Sequence, residues 1–313
     1  MTFSEESRIL ITGARGLLGG AIARQLRDSC AATVLEPSRD EMDLIDFPAV
    51  RYYFESERPT HVFHAAAKVF GIGGNMQFPG EMYYTNSTIN SNVIEAARLV
   101  GVAKLTCIGT GAVYPVSLDG QLLEERQVWD GPPHGAEWAY AQAKRGMLAQ
   151  LIAYEQQWGL PYSYSICGNL FGPNDLFDIN YGHVIPSLIA KFHRAYSSGG
   201  PVSIWGTGIA VRDFSYVDDA ARAIIESHLK LTGPVNIASG HIHSIREIVE
   251  ILDELTGKRL KIEWDTSKPD GQGRRFYDLS KLGSIGFVPN ESLASGLSKT
   301  WDWYKQAFPN VRY

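Results

Sequence analysis

Between residues 8 and 26 a short apolar run, Arg8-Ile9-Leu10-Ile11-Thr12, gives way to Gly13-Ala14-Arg15-Gly16-Leu17-Leu18-Gly19 and then to Gly20-Ala21-Ile22-Ala23-Arg24-Gln25-Leu26, which is spaced as a helix. Strand, glycine turn and helix in that order constrain the fold more than any other stretch of this chain. Gly13 permits the tight turn, Gly16 lets the backbone approach a pyrophosphate, and Gly19 lets the helix sit close to the strand. The amino terminus of the helix then faces the phosphates. Leu17 belongs to the same cofactor-binding stretch.

The first half continues to alternate apolar strands with amphipathic helices, as a parallel sheet covered on both faces requires. The pattern predicts strands at 8–12, 32–36, 61–64, 104–109 and 161–167, and helices near 16–28, 46–56, 80–100, 136–158 and 218–230. The expected fold is α/β: a Rossmann-type doubly wound parallel sheet with a smaller mixed α/β substrate lobe. Pro173, Pro186, Pro201, Gly199-Gly200, Gly206 and Gly208 break up the stretch from 172 to 212, and a further mixed segment runs from about 240 to the end. The expected division is therefore 1–171 plus 213–239 for the dinucleotide-binding domain and 172–212 plus 240–313 for the substrate lobe. A cleft between them is the natural site.

Composition narrows the chemistry. A chain of 313 residues, 44% hydrophobic and 20% charged, can bury a large core and is not a disordered polyelectrolyte. No apolar run reaches membrane-spanning length, and a net charge of −5 speaks against a nucleic-acid partner. Any anionic substrate must then be held by locally placed arginines and helix ends. Cys30, Cys107 and Cys167 are too widely spaced for a disulfide framework or a zinc site. His241 and His243 have no third ligand at suitable spacing, so no metal is expected. His61 and His64 flank a predicted strand and read as satisfied groups at the core's edge. The acidic, polar opening Met1-Thr2-Phe3-Ser4-Glu5-Glu6-Ser7 resembles neither a secretory nor a transit signal, so the cytoplasm is the expected compartment.

Tyr140-Ala141-Gln142-Ala143-Lys144 supplies a chemical group. Residues four apart on a helix share one face. A free phenol is too weak an acid-base group at neutral pH, but an adjacent ammonium favours the phenolate and pulls its pKa toward the working range. This is a carbonyl-reducing pair.

Together with the glycine turn, Ala65-Ala66-Ala67-Lys68 and the Thr110 segment, that pair resembles the extended short-chain dehydrogenase/reductases, which act largely on nucleotide sugars. Within them the chain looks most like the GDP-L-fucose synthase subgroup, whose members are GDP-4-keto-6-deoxymannose 3,5-epimerase/4-reductases. The segments that carry this span nearly the whole chain: Arg39-Asp40-Glu41-Met42-Asp43-Leu44, Ala65 to Gly71, Asn86 to Ala97, His183-Val184-Ile185-Pro186, Trp205-Gly206-Thr207-Gly208, Arg212-Asp213-Phe214 with Val217-Asp218-Asp219, and Ser267-Lys268-Pro269-Asp270-Gly271.

The resemblance implies that hydride attacks the C4 ketone of a GDP-linked sugar, that Tyr140 protonates the oxygen, that Lys144 tunes the phenol and holds the nicotinamide ribose, and that Thr110 hydrogen-bonds the carbonyl. In the subgroup a cysteine and a histidine share C3/C5 epimerisation. His183 falls on the histidine position, but the cysteine position is Ala112, and a methyl group cannot move a proton. Cys167 is a candidate substitute, although a buried structural thiol is the better reading of it. The expected activity is therefore 4-keto reduction with absent or altered epimerisation. The resemblance places Arg15, Arg39, Asp43, Leu44, Ala65 and Ala66 around the cofactor. Glu36 closes the second strand where a carboxylate would bind the ribose diol of NAD, whereas Arg15 and Ser38-Arg39 suit the 2′-phosphate of NADP. The balance leans to NADP(H), with NAD(H) as the alternative.

Lys68, Asn169, Val184, Leu188, Trp205, Arg212 and Arg275 are the expected substrate contacts, the two arginines because a guanidinium fork matches phosphate oxygens. The resemblance also implies a homodimer built on the helices near 86–100 and 138–157. Two other readings remain on sequence alone: an NAD-dependent redox-neutral epimerase or dehydrogenase of a nucleotide sugar, and a non-catalytic dinucleotide sensor, which would have no use for Tyr140 and Lys144 together.

Overall fold

The computed structural model describes residues 3–69, 71–268 and 274–313, so Phe70 and Pro269-Asp270-Gly271 of the segments named above lie outside the described residues. The first half runs β1 (Arg8–Thr12), α1 (Leu17–Ser29), β2 (Thr33–Leu35), α2 (Phe47–Glu57), β3 (His61–His64), α3 (Ile72–Gln77), α4 (Pro79–Val100), β4 (Lys104–Thr110), β5 (Leu122–Leu123), α5 (Trp138–Trp158), β6 (Tyr162–Cys167) and β7 (Asn169–Phe171). The second runs α6 (Val184–Ser198), β8 (Val202–Trp205), β9 (Val211–Tyr216), α7 (Val217–Lys230), β10 (Gly233–Ile237), β11 (Ile242–Ser244), α8 (Ile245–Thr256), β12 (Ile262–Asp265), β13 (Phe276–Tyr277), α9 (Ser280–Gly283) and α10 (Leu293–Ala307).

Strands β10, β6, β4, β3, β1 and β2 lie side by side in that order, all parallel. The chain steps outward from β1 to β2 and then crosses back to β3 on the other side of β1. That reversal opens a crevice at the carboxyl ends of β1 and β3, the usual ligand position in such sheets. One face is covered by α2, α4 and α5, through Val50, Phe54, Val93, Ile94, Met147 and Leu151. The other is covered by α1 and α7, through Ile22, Leu26, Ala220 and Ile224. His64 is fully buried in the sheet, with Nδ1 2.7 Å from Thr12 Oγ1 and Nε2 3.0 Å from Asn90 Oδ1. Burial pulls it down to about 3, so it is a neutral packing group.

A third core cluster draws on Phe171 to Tyr216 and on Ile248 to Tyr304, and underlies the smaller lobe. Here β7, β9 and β11 form a three-stranded sheet, and β8 pairs with β12. The prolines do not fragment 172–212 as fully as expected, because α6 runs through Pro186. That proline is the third residue of the helix, where the missing N–H would have had no intrahelical acceptor. The expected strands and helices of the first half lie within two residues of those observed, whereas β10, which completes the main sheet at its edge, had no counterpart in the strands predicted from sequence.

Candidate active site

At the crevice the glycine turn is packed against backbone on two sides. Gly13 has φ +74°, and a Cβ there would lie 2.8 Å from Ala66 Cα and N. A Cβ on Gly19 would lie 2.2 Å from the Gly13 carbonyl oxygen. Real side chains do not fit at such separations, so the turn requires hydrogen at both positions. The amides of Ala65 and Ala66 donate to Thr12 O and Thr12 Oγ1, each at 3.2 Å, tying the end of β3 to the end of β1. Gly16 N donates to Gly13 O and Gly20 N to Gly16 O, both at 2.9 Å, leaving the Leu17, Leu18 and Gly19 amides at the head of α1 ahead of the first intrahelical bond. Such a backbone cradle fits the diphosphate of a dinucleotide.

Beyond β2 the rim is set by charge. Glu36, expected to meet a ribose diol, forms an ion pair with Arg27 instead, so its carboxylate is partly neutralised. Arg39, an exposed side chain, reaches Asp43 at 3.5 Å. Asp43 Oδ1 also accepts the Ile45 N–H at 3.1 Å, and Leu44 O accepts Asn92 Nδ2 at 2.8 Å. These contacts make Asp43 and Leu44 parts of a fixed loop beside the cradle. With Glu36 engaged by Arg27, the cations of the rim suited to a 2′-phosphate are Arg15 and Arg39, each with a carboxylate near it, Glu41 and Asp43.

The proton-handling groups come from β4 and α5. Tyr164 Oη donates to Lys144 O at 3.1 Å, and the Lys144 ammonium, only 2% exposed, donates to Ile108 O at 2.8 Å. Burial pulls that ammonium down to about 8. Lys144 Nζ lies 5.9 Å from the centre of the Tyr140 ring. Burial, followed by Cys167 and Glu137, pushes the Tyr140 phenol upward, so the expected depression by Lys144 is corrected: the ammonium is turned to a backbone carbonyl of β4, and desolvation dominates. A phenol that holds its proton is still the right species to donate one to a developing alkoxide. Thr110 ends β4 and its Oγ1 accepts the Ala112 N–H at 3.2 Å, which directs the hydroxyl proton elsewhere and leaves it able to donate.

Ala112 is 1% exposed. Cys167 pairs in register with Thr110 but is buried, and desolvation pushes its thiol up to about 12. A thiol so placed carries almost no thiolate at neutral pH, which argues against the substitute role. His183 caps α6 without a side-chain bond to it and is exposed, with Nδ1 4.0 Å from Asp175 Oδ1. Asp175 is 4% exposed; its Oδ1 accepts the Leu176 N–H at 2.8 Å, and Oδ2 has no hydrogen-bond partner among the described residues. Burial raises this carboxyl to about 6, against the opposing charge of His183. Sequence reasoning passed over Asp175; its position in Gly172-Pro173-Asn174-Asp175, a turn just before the histidine, was the available signal.

The expected substrate residues fall into two groups. Trp205 is 57% exposed at the end of β8, with Lys191 and Lys268 ammonium groups 5.6 and 5.8 Å from its ring centre, so it is not a core tryptophan. Arg212 and Arg275 are near enough that each charge opposes the other; burial first and Arg275 second lower Arg212. Arg275 also reaches Glu137 at 3.4 Å and lines a recess with Tyr114, Val116, Asp119 and His134. Two guanidinium groups brought together in a partly buried place suit a diphosphate. Asn169 Nδ2 donates to Asp213 O at 3.0 Å, and Lys68 pairs with Glu81. Leu188 is corrected: it is 4% exposed and packs in the smaller lobe's core, leaving only Val184, 44% exposed, for an apolar wall. Among the described residues no cluster of three or more His, Cys, Asp or Glu could hold a metal ion.

Residues 9–238 match the NAD dependent epimerase/dehydratase family, and the chain belongs to it. It is 38% identical to GDP-L-fucose synthase 1 of Arabidopsis thaliana over 303 residues, covering 96% of this chain and 94% of that one. A GDP-L-fucose synthetase from Naegleria fowleri bound to NADP superposes with a TM-score of 0.93 at 27% identity, covering 100% of this chain and 97% of the other. A GDP-mannoheptose C4 reductase from Campylobacter jejuni with NADP bound superposes with a TM-score of 0.87 at 27% identity, covering 97% and 100%.

Proposed function

We propose that this chain is an NADPH-dependent reductase of the C4 ketone of a GDP-linked 4-keto sugar, with C3/C5 epimerisation absent or altered. The observation that carries the reading is the placement of Thr110 at the carboxyl end of β4, and of the Tyr140/Lys144 pair on α5 with its ammonium on Ile108 O of β4, in the parallel sheet whose β1 leads into the glycine turn, in a chain similar over nearly its full length to a GDP-L-fucose synthase. NADP-bound relatives and the neutralised Glu36 favour NADPH over NADH.

Bound NADPH supplies the hydride. Gly13, Gly16, Leu17 and Gly19 hold its diphosphate, Ala65 and Ala66 line the crevice, and Arg15 and Arg39 meet the 2′-phosphate. Thr110 donates a hydrogen bond to the sugar carbonyl, and Tyr140 delivers its phenolic proton to the same oxygen. Lys144 holds the nicotinamide ribose, its ammonium 5.9 Å from the centre of the Tyr140 ring. Arg212 and Arg275 bind the nucleotide diphosphate, while Trp205, Val184, Asn169 and Lys68 contact the rest of the substrate. The division into 1–171 plus 213–239 and 172–212 plus 240–313 is part of the proposal, except that β7 and β9 carry Phe171, Phe214 and Tyr216 into the smaller lobe's core.

Purified protein mixed with NADPH and GDP-4-keto-6-deoxymannose in deuterated water tests both parts. Absorbance of the reduced nicotinamide should fall, while the product carries little deuterium at C3 and C5. No cofactor oxidation would defeat the reductase reading, and rapid exchange at both carbons would defeat the claim about epimerisation.

A homodimer through α4 and α5 is part of the proposal: the two helices pack together and expose Tyr84, Leu99 and Trp158. Light scattering at the mass of a monomer would exclude it. No helix among the described residues is long and apolar enough to cross a membrane, and the three cysteines are free. The cytoplasm is the proposed compartment, to be checked by cell fractionation.

A further inference from the structure

The segment after α10 returns from the smaller lobe to the glycine turn. Val311 packs on the third core cluster, the Arg312 carbonyl accepts the Phe177 N–H at 2.8 Å, and Arg312 pairs with Leu176 as an isolated parallel bridge. The backbone of Arg312 is thus clamped on the loop that carries Asn174 and Asp175. Its exposed side chain reaches on: Nη1 donates to Asn174 O at 3.0 Å and lies 3.9 Å from the point where a Cβ on Gly16 would stand. A guanidinium has five donors in a planar fork, and the bond to Asn174 uses one of them.

We propose that Arg312 is a diphosphate-binding residue of the dinucleotide site, supplied by the smaller lobe across the glycine turn of the larger one. The inference rests on the NADPH reading above. Within residues 13–19 the cradle carries one formal charge, Arg15, which Glu41 faces, and Arg39 beyond it is paired with Asp43. Arg312 brings a full positive charge to Gly16, the residue at which the backbone must approach the diphosphate. A planar fork on a clamped backbone suits two phosphate oxygens and costs little side-chain ordering. The loop to which Arg312 is bridged leads through Asp175 to His183, so the segment proposed to grip the cofactor is hydrogen-bonded to the one that carries the exposed imidazole.

Binding measurements on the full chain test this without turnover. NADPH is titrated by fluorescence into wild type, Arg312→Gln and Arg312→Lys, and adenosine 2′-monophosphate, which has the 2′-phosphate but no diphosphate, is titrated in competition. Loss of one charge-assisted bond should weaken NADPH about tenfold in Arg312→Gln, with Arg312→Lys between the two, and the salt dependence of NADPH binding should become shallower. Competition by the monophosphate should change less than about twofold, a split that general loosening of the fold would not produce. Equal NADPH affinity in wild type and Arg312→Gln, or equal loss for both ligands, would overturn the role of Arg312 alone. Failure of wild type to bind NADPH would overturn the cofactor reading, and this inference with it.

Discussion

The proposed reduction set, Thr110, Tyr140 and Lys144, and the two proposed epimerisation positions, Ala112 and His183, sit in different surroundings. The first is anchored to the sheet: a β4 carbonyl takes the ammonium, a loop amide fixes the threonine oxygen, and burial keeps the phenol protonated. The second has a buried methyl at one end and an exposed imidazole at the other, backed by a carboxylate that is hidden and half-satisfied. Delivering one proton to an alkoxide needs a protonated donor, and on the proposed reading Tyr140 is that donor. Inverting a carbon needs a group to remove a proton and another to return it on the opposite face; on the proposed reading His183 is one of the two, and Ala112 stands where the other would be. On that reading reduction and inversion are separable, because they draw on different residues.

Substitutions can break or sharpen that contrast. Tyr140→Phe removes the donor, and kcat for ketone reduction should fall by about 10³ with NADPH affinity unchanged; retention of turnover would mean that the proton comes from elsewhere. Thr110→Val should lower kcat by about 10², whereas Thr110→Ser should remain within a few-fold of wild type, because only the hydroxyl is required. The pH profile should come next in size. Burial brings Lys144 down to about 8, so the ammonium is present below that pH and is lost above it, and kcat/KM should decline above pH 8, approaching tenfold per unit. A profile flat to pH 10 would remove Lys144 from the mechanism. The smallest effect is a gain: Ala112→Cys should introduce slow solvent-deuterium incorporation at C3 or C5 while reduction changes less than about threefold. Its absence, with the protein folded and reducing, would show that the second set lacks more than a thiol.

The cofactor half was legible because backbone rules govern it. Glycines at 13, 16 and 19 between an apolar strand and a helix leave one local geometry, and β1 and β3 fall on the residues that the alternation indicates. β10 escaped notice since Gly233-Pro234-Val235-Asn236-Ile237 is short and opens on two residues that discourage strands; its place comes from parallel pairing with β6, a tertiary fact. Tyr140 and Lys144 were visible as an i, i+4 pair, but where the ammonium points depends on a carbonyl of β4, thirty-six residues away. Val184 and Leu188 show the remaining difficulty: helical spacing does not say which of two apolar residues faces solvent. Arg312 had no sequence signal at all, as its approach to Gly16 is made by folding alone.

The contact between Gly19 and the Gly13 carbonyl also tells an engineer where not to work. Since the turn admits no methyl at either residue, a library that seeks to convert the enzyme from one reduced nicotinamide to the other would waste its diversity there. The adjustable ground lies at the periphery, with Arg27, Glu36 and Arg39, where lengthening, shortening or reversing a charge disturbs no packed backbone.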